Sequence, residues 1–265
     1  LSSVRLAFGI SASLLALCSQ GASAQDQADT EESVSPSEIL VTANRREQSL
    51  VEVPFAVTAV SGDILEERAL TDIRDFAALV PGFAIDDRGG TDLRLILRGQ
   101  NTGGAGASVA TMMDDVVLSS TSALSNGSTV TPNFETYDLE RIEVLRGPQG
   151  TLYGATAQGG LLKYVTRAPD LTRFSGSAEV GIESVKNGET SPSIRGALNL
   201  PLIEDKLALR AVGYFIDTPG FIDNPLLGLD DVNRGERWGG RASLLFKPTD
   251  RLTIRLTGAY QEEEY

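Results

Sequence analysis

From Phe174 onward the chain alternates apolar and polar residues with a period of two. Ala178, Val180 and Ile182 fall opposite Glu179 and Glu183. Ile194, Leu198, Leu200 and Leu202 oppose Arg195 and Asn199, and Leu207, Leu209, Ala211 and Phe215 oppose Ala208, Arg210 and Tyr214. Trp238, Ala242, Leu244 and Phe246 oppose Arg237, Arg241, Ser243 and Lys247. Leu252, Ile254, Leu256 and Tyr260 oppose Arg251, Thr253, Arg255 and Gln261. Successive side chains of a strand point to opposite faces, so each run carries one greasy face and one polar face. Each run is about as long as the ~9–11 residues that a tilted strand needs to cross a bilayer.

A soluble β-sandwich also alternates, so the connections have to discriminate. Ile203–Lys206 and Pro248–Asp250 are short and polar. The connection holding Asn187-Gly188 is longer, and Asp217–Glu236 is longer still. Short turns at one end and long loops at the other are the asymmetry of outer-membrane barrels. Tyr214, Phe215, Trp238 and Tyr260 fall near strand ends, as an interfacial girdle would. Residues 174–265 therefore read as antiparallel transmembrane β-barrel strands.

Residues 53–168 follow a different rhythm, mixed α and β. Phe55–Val60 predicts a strand, and Ser61 is placed to cap a short helix through Arg68. Thr71 is placed to cap another, with Ile73, Phe76, Ala77 and Val80 on one face and Pro81-Gly82 as the stop. Leu93–Arg98, Val109–Leu118, Arg141–Leu145 and Leu161–Thr166 predict further strands, with a glycine-rich loop over Gly99–Ala107.

The leading 24 residues are a separate segment. Arg5 is their one charge, Leu6–Leu17 is an apolar run, and Ala22-Ser23-Ala24 is a small-x-small cleavage signature. This is the pattern of a secretory signal, too short for the ~20 apolar residues of a spanning helix. Cys18 raises a lipoprotein alternative, against which Leu17 is too large for the residue before a lipidated cysteine. Residues 25–37 are acidic and polar with no periodicity, which predicts a flexible tail. The extended patch Glu38, Ile39, Leu40, Val41, Thr42 and Ala43 follows within the flexible stretch 25–52. It is either a first strand of the next domain or a docking peptide that adds a strand to a partner's sheet edge.

Composition narrows the chemistry. Acidic residues outnumber basic ones 36 to 23, for a net charge of −13, which argues against a nucleic-acid partner. There is no His, and Cys18 is the single Cys, so the commonest general base, imidazole ligands and thiolate sites are missing. The glycine-rich stretch 146–160, RGPQGTLYGATAQGG, invites a phosphate-loop or nucleophile-turn reading. It has no Lys-Ser or Lys-Thr after its glycines, no G-x-G-x-x-G and no G-x-S-x-G. Gly104-Ala105-Gly106 is a nearer look-alike of the dinucleotide fingerprint but lacks the third glycine. Asp114 and Asp115 are adjacent, so on a strand they face opposite ways. A secreted sugar-acting enzyme would need a spaced carboxylate pair, and none stands out. The expectation is a non-enzyme with no cofactor and no resident metal, its glycines serving close backbone packing.

These residues resemble a known family. Asp138–Gly154, continued by Gly159-Gly160 and Tyr164–Arg167, is similar to the plug of TonB-dependent outer-membrane receptors. Glu38–Ala43 resembles their TonB box. Val53–Val60, the element ending Val80-Pro81-Gly82, Leu97-Arg98-Gly99 and Met113–Val116 resemble the rest of the plug. The resemblance implies a plug inside a barrel of about 22 strands, with the plug motif residues Arg98, Gly99, Arg141, Glu143, Arg146, Gly147, Pro148, Gly150, Tyr153, Gly154, Gly159 and Gly160. It implies energised uptake of a scarce small molecule or metal chelate, such as a ferric siderophore, cobalamin or a carbohydrate. The implied partners are outer-membrane lipid and a TonB-type protein that grips the box. Arg98, Arg141, Glu143 and Arg146 are candidates for locking the plug to its barrel, or simply solvate strand edges. About five strands cannot close such a barrel, so the expectation is an amino-terminal portion of a receptor. The alternative is a passive porin or surface adhesin with a folded amino-terminal domain.

Overall fold

The structure, a computed structural model, describes residues 40–42, 48–49, 53, 56–87, 93–100, 108–118, 133–154, 156–186 and 188–264. The expected signal 1–24, the tail 25–37, the box residues Glu38, Ile39 and Ala43, and most of the loops 86–91 and 99–107 lie outside the described residues.

The second half is a wall. Strands β10 (Ser175–Ser184), β11 (Thr190–Ile203), β12 (Leu207–Thr218), β13 (Gly235–Thr249) and β14 (Leu252–Glu264) pair antiparallel in sequence order. Their register keeps the predicted faces in phase. Leu200, Leu209, Leu244 and Leu256 are cross-strand partners in one outward row, and Ile194, Phe215 and Trp238 in another. Val180 on this face is 73% exposed and Leu256 63%. Arg195, Asn199, Arg237, Arg241 and Ser243, on the opposite face, are buried. Trp238 and Tyr260 lie 5.4 Å apart, ring centre to ring centre.

The first half, the expected plug, has a five-stranded sheet in the order β3 (Val57–Ser61), β8 (Leu139–Arg146), β9 (Gly160–Thr166), β6 (Val109–Met113), β7 (Val116–Val117). Only the β6–β9 pairing is parallel. A hairpin of β4 (Phe83–Asp87) and β5 (Leu93–Leu97) and the helices α1 (Gly62–Glu67) and α2 (Ile73–Ala77) cover it. Phe76 is the centre of the core. Its ring stacks on Phe83 and meets Tyr164 edge-on, both at 6.3 Å. Among the described residues no helix is long and apolar enough to cross a membrane.

Local chemistry departs from expectation in three places. Ser61 caps α1 as expected, but α2 is capped by Asp72 instead of Thr71. Asp72 accepts from the Arg74 amide at 2.9 Å, and Asp75 returns the bond from Asp72 N at 3.0 Å. An ionised carboxylate at this position also meets the positive end of the helix. The helix stops at Ala77, so Val80 is buried from the turn beyond it. Residues 109–118 do not form one strand: Asp114 adopts φ of +50° and turns β6 into β7. Its carboxylate accepts from both Thr166 N and Thr166 Oγ1 at 2.8 Å, so the turn fastens the end of β9.

The linker between plug and wall is pinned by one side chain. Asn199 of β11 donates to the carbonyls of Asp170 and Arg173 at 3.0 and 2.6 Å and accepts from Asp170 N at 2.9 Å. Hydrogen bonds from Thr172 and then Arg173 hold the Asp170 carboxyl well below the usual carboxylate range.

Candidate functional site

Two polar assemblies stand out, one on a face of the plug sheet over β8 and β9, the other between the plug and the wall. The first holds the extended patch. Strand β1 (Leu40–Val41) pairs antiparallel with β2 (Gln48–Ser49), and Val41 is fully buried among Val53, Val57 and Ala59. Thr42, the next residue, is held by side chains from β8, β9 and the glycine-rich stretch. Its amide donates to Glu143 Oε1 at 2.8 Å, and its hydroxyl lies 3.0 and 3.1 Å from the two carboxylate oxygens. Lys163 Nζ donates to the same hydroxyl at 2.9 Å, and the Tyr153 hydroxyl donates to the Thr42 carbonyl at 3.2 Å.

The period of two explains the cluster. Ala59, Glu143 and Lys163 are cross-strand partners in one row of the sheet, with Arg141 two residues before Glu143 on the same face. Arg141 Nε donates to Glu143 Oε1 at 2.8 Å. Glu143 has no exposure at all, yet the Arg141 guanidinium, a hydroxyl and an amide bond to it, with Lys163 on the far side of that hydroxyl. Removing water from a carboxylate costs several kcal/mol unless such partners replace it. The carboxylate is therefore a socket, and Thr42 fills part of it.

The glycine-rich stretch has a packing role with one functional arm. Gly147 has φ of +110° and ends β8 beside Pro148. A Cβ on Gly160 would meet Leu145 O at 2.4 Å and Leu97 Cδ1 at 2.6 Å, so the strand start there admits no side chain. Between them, Gly150–Tyr153 forms the short helix α3 that delivers Tyr153 to Thr42, with Gly154 donating back to Gly150 O at 3.0 Å. Gly159 donates to Ser108 O at 2.7 Å.

The second assembly joins plug to wall. The strap Asn133–Asp138 runs along the buried face of the wall. Arg237 donates to Asn133 O at 3.2 Å, and Gln261 to the same oxygen at 2.8 Å. Glu135 lies 3.0 Å from Arg195 and 3.7 Å from Arg237. Asp138 receives Arg210 through a two-pronged contact, and Arg241 donates to the Asp138 carbonyl at 2.9 Å. Arg255 donates to Thr166 Oγ1 at 2.6 Å and stands 3.7 Å from Asp114. Burial pushes the Glu135 carboxyl up, against the opposing pull of Arg195 and Arg237.

The four candidate locks hold positions within the plug. Arg141 and Glu143 face the Thr42 socket, Arg146 donates to Pro81 O at 3.1 Å within the plug, and Arg98 sits exposed beside Gly99 at φ of +53°. Among the described residues, none of the four forms a hydrogen bond or ion pair with β10–β14. The wall contacts gather on the strap 133–138, Asp72, Asp114 and Thr166, none of which sequence reasoning assigned this role, and it likewise missed Lys163. A lone Lys inside the apolar run Leu161-Leu162-Lys163-Tyr164-Val165 was the available signal. Among the described residues, no three His, Cys, Asp or Glu groups are placed to hold a metal.

Comparison with known proteins bears on both assemblies. Residues 49–161 match a family model described as the TonB-dependent Receptor Plug Domain. The vitamin B12 transporter BtuB of Vibrio vulnificus (strain CMCP6) is 28% identical over 195 residues, covering 72% of this chain. The pesticin receptor of Yersinia pestis is 29% identical over 220 residues, covering 81%. This chain spans 30% of the length of each of those two relatives. Among solved structures, the ferric yersiniabactin uptake receptor FyuA from Yersinia pestis superposes with a TM-score of 0.67 at 24% identity, over 79% of this chain and 32% of that one. The pyoverdine outer-membrane receptor FpvA from Pseudomonas aeruginosa PAO1 gives 0.67 at 21% identity, over 84% and 30%. These superpositions establish the fold: a plug followed by barrel strands.

Proposed function

This chain belongs to the TonB-dependent outer-membrane receptors, carrying their plug and the opening strands of their barrel, and from that premise we propose that it serves energised import of a scarce nutrient. The plug spans residues 53–168 and the barrel begins near residue 174, after a leader that carries the box Glu38–Ala43. A TonB-type protein in the periplasm takes that box by strand pairing and uses the proton gradient to draw on the plug. The cargo is a small molecule or metal chelate of the kind that related receptors carry: vitamin B12 for one relative, ferric yersiniabactin or pyoverdine for two structural neighbours. The role is transport, with no catalytic step assigned to any residue.

The observation that carries this reading is the socket around Thr42. A box that must be gripped by another protein has to be held, yet held weakly enough to leave. Burial of Val41 contributes about 1.5–3 kcal/mol, and each hydrogen bond to Thr42 adds roughly 0.5–1.5 kcal/mol net, more where a charge is involved. The total is of the order of the ~5.5 kcal/mol that moves a two-state equilibrium from mostly closed to mostly open. A strand-pairing partner, or cargo seated on the far side of the plug, supplies energy on that scale.

The test is deletion of Glu38–Ala43 in the complete receptor. Uptake is expected to vanish while cargo binding at the cell surface persists. Uptake that survives the deletion contradicts the reading, and uptake that survives collapse of the proton gradient makes the protein a passive pore.

A further inference from the structure

The inward rows of the wall carry a pattern beyond a plug clamp. Cross-strand register defines five successive inward rungs: Ser193–Ile216–Arg237, Arg195–Tyr214–Gly239, Ala197–Val212–Arg241, Asn199–Arg210–Ser243 and Pro201–Ala208–Leu245–Arg255. Each rung holds one arginine. The series starts beside the long connection 219–234, with Arg237, and ends beside the short turns, with Arg255. The partners these rungs contribute from β10 and β14 include Glu179 and Glu263 at the first two rungs and no carboxylate at the lower three.

Rungs two residues apart are roughly 7 Å apart along the strand. That spacing is comparable to the ~8 Å screening length at physiological salt, and a low-dielectric wall screens less. At rest the plug supplies the counter-charges in order down the wall: Glu135 and Asp72 near Arg237, Glu135 at Arg195, Asp138 at Arg241 and Arg210, and Asp114 near Arg255. The fit at the upper rungs is incomplete. Arg237 Nε is buried with no hydrogen-bond partner, and Glu135 Oε2 has only Arg237 at 3.7 Å, whereas Arg195 Nε stands 3.0 Å from Glu135 Oε1. Guanidinium groups pair well with planar oxyanions, and a plug movement that withdraws Asp138 and Asp114 leaves Arg241, Arg210 and Arg255 without a carboxylate, while Arg195 keeps Glu179 of β10 at 2.9 Å.

We propose that these five arginines form a transit track for anionic cargo, a small molecule bearing carboxylate or phosphate-like oxyanions that replaces the plug's carboxylates rung by rung. The proposal rests on the import reading and deepens it by naming the charge class of the cargo. It makes Glu135, Asp138 and Asp114 resting counter-ions that the cargo displaces.

The track is tested without an energy source. The complete receptor is placed in a planar bilayer, urea on the short-turn side loosens the plug, and the reversal potential is read in a potassium chloride gradient. Citrate then serves as the probe anion. The parent is expected to prefer chloride and to be blocked by citrate. Replacing Arg195, Arg210, Arg237, Arg241 and Arg255 by Gln is expected to abolish both, and replacing them by Lys to retain them. Should the fivefold Gln variant fail to insert, Arg241→Gln alone is expected to weaken citrate block, since it sits at the central rung. A parent without anion preference, or a Gln variant with unchanged preference and block, overturns the track and leaves the arginines as a clamp. A failed track leaves the outcome of the box deletion untouched, and failed energised uptake leaves the selectivity measurement standing.

Discussion

Phe76 and Leu256 are both large apolar side chains, yet one is fully buried and the other 63% exposed. Arg195 inverts the comparison, a cation buried to 6% exposure on the strand whose Ile194 is open to the outside. The plug and the wall thus sort their residues by opposite rules. The plug hides apolar groups from water and admits buried charge only where partners converge, as at Glu143. The wall turns apolar rows outward, toward lipid, and keeps polar groups inside against the plug. Each region makes sense only with its own solvent, water for one and hydrocarbon for the outer face of the other.

Substitutions can break or sharpen that contrast. The largest effect is expected in the plug core. Phe76→Ala removes a ring packed between Phe83 and Tyr164 and should lower plug stability by about 3–5 kcal/mol, read as a lower urea midpoint. A cost near zero would mean that the plug has no water-excluding core. On the wall, Leu256→Arg should cost about 2–4 kcal/mol if its row sits near the bilayer midplane. The readout is the fraction of receptor that reaches the folded, heat-modifiable form in lipid. An unaffected fraction would argue that this face meets water.

Smaller effects follow at the margins. Asp72→Ala removes the cap of α2 and should cost about 1 kcal/mol, while Thr71→Ala should leave the urea midpoint almost unchanged. Smallest is a pH effect at Glu135. Burial raises its carboxyl above the ordinary 4.5 even with Arg195 and Arg237 opposing and Asp72 adding to the rise. A raised folded value gives a contribution fully present below the unfolded value and lost as pH climbs through the folded one. The plug's urea midpoint should therefore decline upward from about pH 4.5, and Glu135→Gln should flatten that decline. A midpoint that rises over the same range in the parent, and flattens in the variant, would assign Glu135 a lowered value.

The wall was legible because its rule is local. A period of two and the turn lengths placed β10–β14 and identified Arg195, Arg210, Arg237, Arg241 and Arg255 as one face. What those arginines touch was not legible, because Arg210 and Asp138 are 72 residues apart and Arg237 and Asn133 are 104 apart. The plug was harder even for its elements. Phe83–Asp87 ends in two aspartates and shows no alternation, so β4 emerges only through its pairing with β5. The strand expected over 109–118 breaks because the Asp114 carboxylate has a better use, at the end of β9. The glycine-rich motif was readable as packing, but its reach through Tyr153 to Thr42, 111 residues away, required the fold.

The central claim is that residue 42 is seated in the plug at rest by Glu143, and that this seat is the part which gives way. Amide hydrogen exchange of the 40–49 segment in the complete receptor tests it most directly. The account predicts a slowed Thr42 amide in the parent and exchange near the free-chain rate in Glu143→Ala, with Ile142 and Leu162 still protected in both. Free-chain exchange at Thr42 in the parent, or a loss of protection that spreads to Ile142 and Leu162 in the variant, would contradict it.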